Sequence, residues 1–171
     1  MPATEEISEN LIRENITRAV GDVFKTMLSS PVSPAAAHAD GSAEQMPKVT
    51  TPQVVGTVGF IGDACGLIYL YLEENFANKC TCQMLGMSEF ELQGAGDEVV
   101  NDAIGELTNM VVGGFKNALC DAGYPCRLTI PSILRGRNFC IEQMSSAQRH
   151  IYMFECGGHR VITDIILKSD D

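Results

Sequence analysis

The sequence predicts an α/β (α+β) layered sandwich in which long helices pack on a largely antiparallel sheet. Three observations carry that prediction. Residues 4–28 and 97–121 are long, proline-free stretches with apolar residues at helical spacing. Residues 53–72 and 127–167 hold β-branched and aromatic runs punctuated by glycine turns. The order helix, hairpin, helix, helix, strands favours an antiparallel sheet with helices stacked on it over a doubly wound parallel one. A chain of 171 residues fits one domain over residues 1–171 and can bury a substantial core.

The elements follow in order. Thr4 is placed to cap the first helix, with Glu5 and Glu6 at the positive end of its dipole, and Ile7, Leu11, Val20, Phe24, Met27 and Leu28 leave one apolar face. Residues 30–52 are rich in Pro, Ala, Ser and Gly and read as a flexible loop or insertion. Val54, Val55, Val58, Phe60 and Ile61 lead to Gly62-Asp63, and Ile68 to Tyr71 follow, which predicts a hairpin. Residues 73–85 read as a short helix and residues 88–96 as a polar connection. The helix over 97–121 is acidic at its start and is followed by Gly123 and Pro125 as stop signals. Strands are expected near 127–134, 138–144, 150–156 and 160–167 as a meander, with Gly157-Gly158 turning between the last two.

Composition removes several function classes. The net charge is −10, so the clustered Lys and Arg that nucleic acid or an anionic membrane surface requires are missing. No apolar run approaches the roughly 18–20 residues of a membrane helix. No basic, apolar leader precedes Glu5, so a cytoplasmic location is expected. The seven cysteines (65, 80, 82, 120, 126, 140 and 156) include no CxxC, and no His stands at metal-ligand spacing from Cys80 or Cys82. They read as thiols acting as small core hydrophobes, with a metal or thiol site at Cys80/Cys82 as a minor alternative. P-loop, GxSxG, HExxH and EF-hand patterns do not occur, and no metal site is expected.

On a helical projection of residues 97–119, Val99, Val100, Ala103, Ile104, Leu107, Met110, Val111, Phe115 and Ala118 form a broad apolar side. Opposite them lie Asp102, Gly105, Glu106, Asn109, Gly113 and Lys116. Asp102–Glu106 and Glu106–Asn109 are neighbours at helical spacing. A polar stripe is ordinary on an amphipathic helix. Gly105 and Gly113 on an exposed stripe are less so, because each costs about 1 kcal/mol relative to Ala. Close approach of another backbone would account for them.

The run Asp102-Ala-Ile-Gly-Glu106-Leu-Thr-Asn109-Met-Val-Val-Gly113 resembles the D/S-x-x-x-E-x-x-N signature of the CheC/CheX/FliY chemotaxis phosphatases, CheX in particular. The flanking Gly114–Leu119, the hairpin Gly56-Thr-Val-Gly-Phe60-Ile-Gly62 with Gly66-Leu-Ile-Tyr-Leu70, and the first helix ending in Phe24-Lys-Thr-Met27-Leu28 are similar to the same family. The resemblance implies the CheX/CheC-like fold. It also implies hydrolysis of the aspartyl phosphate on a CheY-like receiver domain, with Glu106 and Asn109 as the catalytic pair and Asp102 at the third signature position. Gly105, Gly113 and Lys116 are expected to meet the partner. The protein would need no cofactor of its own, Mg2+ being expected in the receiver. CheC-like members carry two signatures, but Glu6, Glu9 and Glu14 are followed three residues on by Glu9, Ile12 and Thr17. One site per chain, and a homodimer, are therefore implied. The alternative is a non-catalytic, receiver-binding or flagellar-switch-like scaffold; retention of Asp102, Glu106 and Asn109 favours the enzyme.

Overall fold

The computed structural model describes residues 7–35, 46–142 and 144–168. Helix α1 spans Glu9–Leu28 and begins later than expected, because Ser8 caps it by accepting from the Leu11 amide at 3.2 Å. Thr4, the expected cap, lies outside the described residues. Ile12, Ile16, Val20 and Phe24 form its buried stripe.

Strands β1 (Ser33–Pro34), β2 (Gln53–Gly62) and β3 (Gly66–Glu73) follow, then α2 (Glu74–Leu85). The expected hairpin is β2–β3, antiparallel from Gln53↔Glu73 to Phe60↔Gly66. Residues 88–96 depart from the expected connection, since α3 occupies Glu89–Ala95. Ser88 Oγ accepts from the Glu91 amide at 3.1 Å and donates to the Glu91 carboxylate at 3.2 Å, so a Ser-x-x-Glu cap outweighs the polar composition. Helix α4 covers Asp97–Asp121, as expected.

The C-terminal strands correct the expected meander. The run near 127–134 is two short strands, β4 (Cys126–Leu128) and β5 (Ser132–Gly136), both antiparallel to β2. They are broken around Pro131, which has no N–H to give a ladder. Residues 138–142 and Met144 form no strand. The last two strands, β6 (Ala147–Cys156) and β7 (His159–Lys168), make the expected hairpin through Gly157 and Gly158, both at positive φ. Because β7 pairs β3, the sheet order is β1-β6-β7-β3-β2-β4, with β5 also on β2, and every pairing is antiparallel.

The main core lies between the helices and one face of this sheet, where Val54, Val58, Phe60, Ile68 and Leu70 meet Ile104, Leu107, Val111 and Phe115. The Phe60 and Phe115 rings pack edge-on at 6.0 Å. Helix α4 lies close against the sheet at Gly56, where any Cβ would overlap the side chain of Thr108. The opposite face carries a smaller cluster of Val55, Tyr71, Ile151 and Ile162. Met46, Val49, Phe139 and Ile141 lie against it, so the two stretches that lack strands serve as its cover. Fully buried Asp164 takes two hydrogen bonds from Arg149, at 2.9 and 2.6 Å, and Arg149 Nη1 also donates to Ile141 O.

Gly56→Ala should destabilise the protein by about 1–3 kcal/mol, the usual cost of overpacking, read as a fall of several degrees in Tm. An unchanged Tm would show that α4 does not depend on that close approach.

Candidate functional site

Helix α4 presents the expected stripe, with differences that its contact with the sheet explains. Thr108 is fully buried over Gly56 and its hydroxyl donates to Ile104 O at 2.6 Å, so a polar atom inside the core is satisfied locally. With Thr108 fixing the inward direction, a turn of about 100° per residue puts Glu106 about 160° away, Asp102 about 120° and Asn109 about 100°. Accordingly Asp102 and Glu106 are exposed and Asn109 is half-buried. Gly105 is only about 60° from Thr108, and the structure buries it, correcting its expected place on the exposed stripe. Gly113 and Lys116 are half-buried at the shoulder of the helix.

Neither glycine is required by packing within the chain. A Cβ at Gly105 would meet nothing within 4 Å, and one at Gly113 only Leu128 Cδ1 at 3.8 Å. Room on α4 is therefore left unused by this chain. Lys116 Nζ lies 3.4 Å from Asn117 Oδ1 and near the Cys126 thiol.

The N-terminus of α4 has no side-chain cap, its N-cap being Gly96. Its first turns meet β5 through Arg135, whose Nε donates to Asn101 Oδ1 at 2.6 Å and whose Nη1 lies 3.7 Å from Asp97 Oδ1. Sequence spacing gives no sign of this contact, because the partners are 34 residues apart.

The chemistry open to the stripe is that of one carboxylate and one carboxamide a helical turn apart. The carboxylate accepts hydrogen bonds or pairs with a cation, and the carboxamide accepts and donates at once. A 440 Å³ groove beside Asn75, Asn78, Lys79 and Gln93 and a 610 Å³ hollow beside Lys48, Asn138 and Arg149 contain neither Glu106 nor Asn109. Glu106 stands exposed on the outward side of α4, which suits contact with a macromolecular partner.

Thiol chemistry at Cys80 and Cys126 is not favoured by their surroundings. Burial pushes the Cys80 thiol up to about 12. Burial, reinforced by neighbouring Cys120, pushes Cys126 up to about 11. Both therefore stay protonated and poorly nucleophilic near neutral pH. Cys82, the other half of the sequence-level alternative, is half-buried. Among the described residues no group of three or more His, Cys, Asp or Glu could hold a metal ion, and no helix is long and apolar enough to cross a membrane.

Comparison with known proteins bears on the family and the fold. Residues 54–155, more than half of the chain, match the family model described as chemotaxis phosphatase CheX. No curated protein sequence is significantly similar to the chain. Among solved structures, chemotaxis protein CheX from Vibrio vulnificus is 24% identical with a TM-score of 0.75, covering 95% of this chain and 100% of that one. A CheC-like superfamily protein from Shewanella is 26% identical with a TM-score of 0.72, covering 93% and 98%. The CheX of a CheX-CheY-BeF3-Mg2+ complex from Borrelia burgdorferi is 17% identical with a TM-score of 0.69, covering 92% and 98%.

Proposed function

The chain belongs to the CheX family of chemotaxis phosphatases, and we propose on that premise that it hydrolyses the aspartyl phosphate of a CheY-like receiver domain. The observation that carries this reading is the placement of Glu106 and Asn109 a turn apart on the outward side of α4, one exposed and the other half-sheltered. The complex of the Borrelia relative with CheY gives the kind of partner. The protein is taken to act in the cytoplasm and, as the resemblance implies, as a homodimer with one site per chain.

An acyl phosphate is an activated anhydride, so the enzyme has mainly to hold water in line with the bond that breaks. Water oxygen attacks phosphorus, the bond from phosphorus to the receiver's carboxyl oxygen breaks, and inorganic phosphate and a free aspartate leave. Asn109 holds the water: its Oδ1 accepts from it while its NH2 donates to an oxygen nearby, without acting as a base. The half-buried position of Asn109 limits its rotamers and competing solvent, as positioning requires. Glu106 extends from the most exposed line of the helix and pairs with the receiver's lysine, setting the register of docking. Asp102 and Lys116 flank this contact, and Gly113 leaves room for the partner's backbone. In this reading the divalent ion that neutralises the phosphoryl oxygens belongs to the receiver, and this chain needs no cofactor.

Asn109→Ala should bind the receiver with little change yet release phosphate about 10²–10³ times more slowly, the usual cost of one positioned polar group. Near-normal turnover of a receiver labelled with acetyl phosphate would remove Asn109 from its role. For Glu106→Ala the expected loss is in productive docking, seen as a raised KM; unchanged affinity and rate would exclude it. Gly113→Gln should fold normally and turn over poorly, and full activity in the folded variant would argue that the partner does not approach there.

A further inference from the structure

We propose that Arg135 is a positioning residue for this site: from the edge of the sheet it holds the first turns of α4, and so Asp102 and Glu106, in the geometry that receives the partner. The inference rests on the phosphatase reading above. Across the β2–β5 ladder Arg135 pairs with Val54, which is fully buried on the helix side, and cross-strand partners share a face. Arg135 therefore faces α4. On the helix, Asp97 and Asn101 each lie within about 20° of Thr108, the residue that points into the sheet. Arg135 thus continues beyond the end of the close-packed contact the line along which α4 rests on β2.

One short hydrogen bond and two longer contacts hold the guanidinium. Asn101 Oδ1 accepts from Nε at 2.6 Å, Asp97 O accepts from Nη2 at 3.5 Å, and Asp97 Oδ1 lies 3.7 Å from Nη1. Its side chain is only 24% exposed. A cation beside a helix N-terminus opposes the macrodipole, so dipole stabilisation of α4 does not account for its presence. What the geometry does supply is a guanidinium contact at the N-terminal end of α4, where Gly96 offers no capping side chain. Further along this edge Ile133 packs against the main core and Leu128 lies beneath Gly113, with Pro131 between them. Asp102 and Glu106 are therefore carried on the stretch of α4 between the Arg135 contacts and the Thr108–Gly56 approach. Asp102 follows Asn101 directly, whereas Asn109 is two turns on, next to buried Thr108. Loss of the guanidinium contact should disturb docking more than the positioning of water.

Arg135→Ala and Asn101→Leu should each raise KM for the phosphorylated receiver about tenfold, as for loss of one charge-assisted hydrogen bond, with kcat within about threefold. Amide hydrogen exchange over residues 98–106 should quicken in both variants while α1 stays protected. Arg137→Ala, which removes the same charge two residues away from an exposed position, should leave KM unchanged. The proposal is overturned if folded Arg135→Ala keeps wild-type KM, if Arg137→Ala raises KM equally, or if activity is lost only in proportion to the unfolded fraction. Should the wild-type protein release no phosphate, the phosphatase reading falls, and the exchange measurement alone decides whether Arg135 holds the helix.

Discussion

The arrangement of the site depends on a single close approach, that of Thr108 on α4 to Gly56 on β2. With no side chain at Gly56, the helix can lie against the strand at a distance that any Cβ would forbid. Thr108 fills the gap and returns its hydroxyl to Ile104 O, so a polar side chain enters the core without an unpaired group. The Phe60–Phe115 contact extends the same junction. Once Thr108 points inward, the helical pitch dictates the rest: Leu107, Val111 and Val112 are covered, and Glu106 and Asn109 face outward to different degrees.

That difference in exposure fits the two proposed tasks. A carboxylate that meets a lysine on another protein has to project from the surface, and Glu106 stands nearly opposite the buried line. A carboxamide that fixes one water profits from a shoulder position, where neighbouring side chains reduce its freedom and the competition from bulk solvent. The glycines at 105 and 113 belong with this picture in different ways, the first covered and the second half-open, though neither is demanded by the packing of the chain.

Away from the site, the opposite face of the sheet shows why two stretches without strands are held in place. Its apolar cluster needs a cover, which Met46, Val49, Phe139 and Ile141 provide. The Arg149–Asp164 pair sits beside that cover, with Asp164 fully buried and both of its oxygens bonded to the guanidinium. Arg149 also reaches Ile141 O at 2.8 Å, so the ion pair and the covering segment are tied together. A buried carboxylate in this setting is tolerable because its charge is matched and its lone pairs are used.

The sequence by itself determined the features that are local. Periodicity, an acidic start and the Gly123 and Pro125 stop signals define α4 from Asp97 to Asp121, glycine turns and β-branched residues define the β2–β3 and β6–β7 hairpins, and the Asp102, Glu106, Asn109 spacing identifies the stripe. These depend on neighbours within a few residues, where chain geometry fixes what can meet. Tertiary structure decided what no short window contains. It decided that Gly105 is buried, and that residues 138–142 lie across the sheet as a cover without pairing as a strand. It also brought Arg135 to Asn101 across 34 residues of chain. The physical reason is the same each time: burial and long-range hydrogen bonds depend on which surfaces meet after the elements have formed, and composition along the chain does not encode that choice locally.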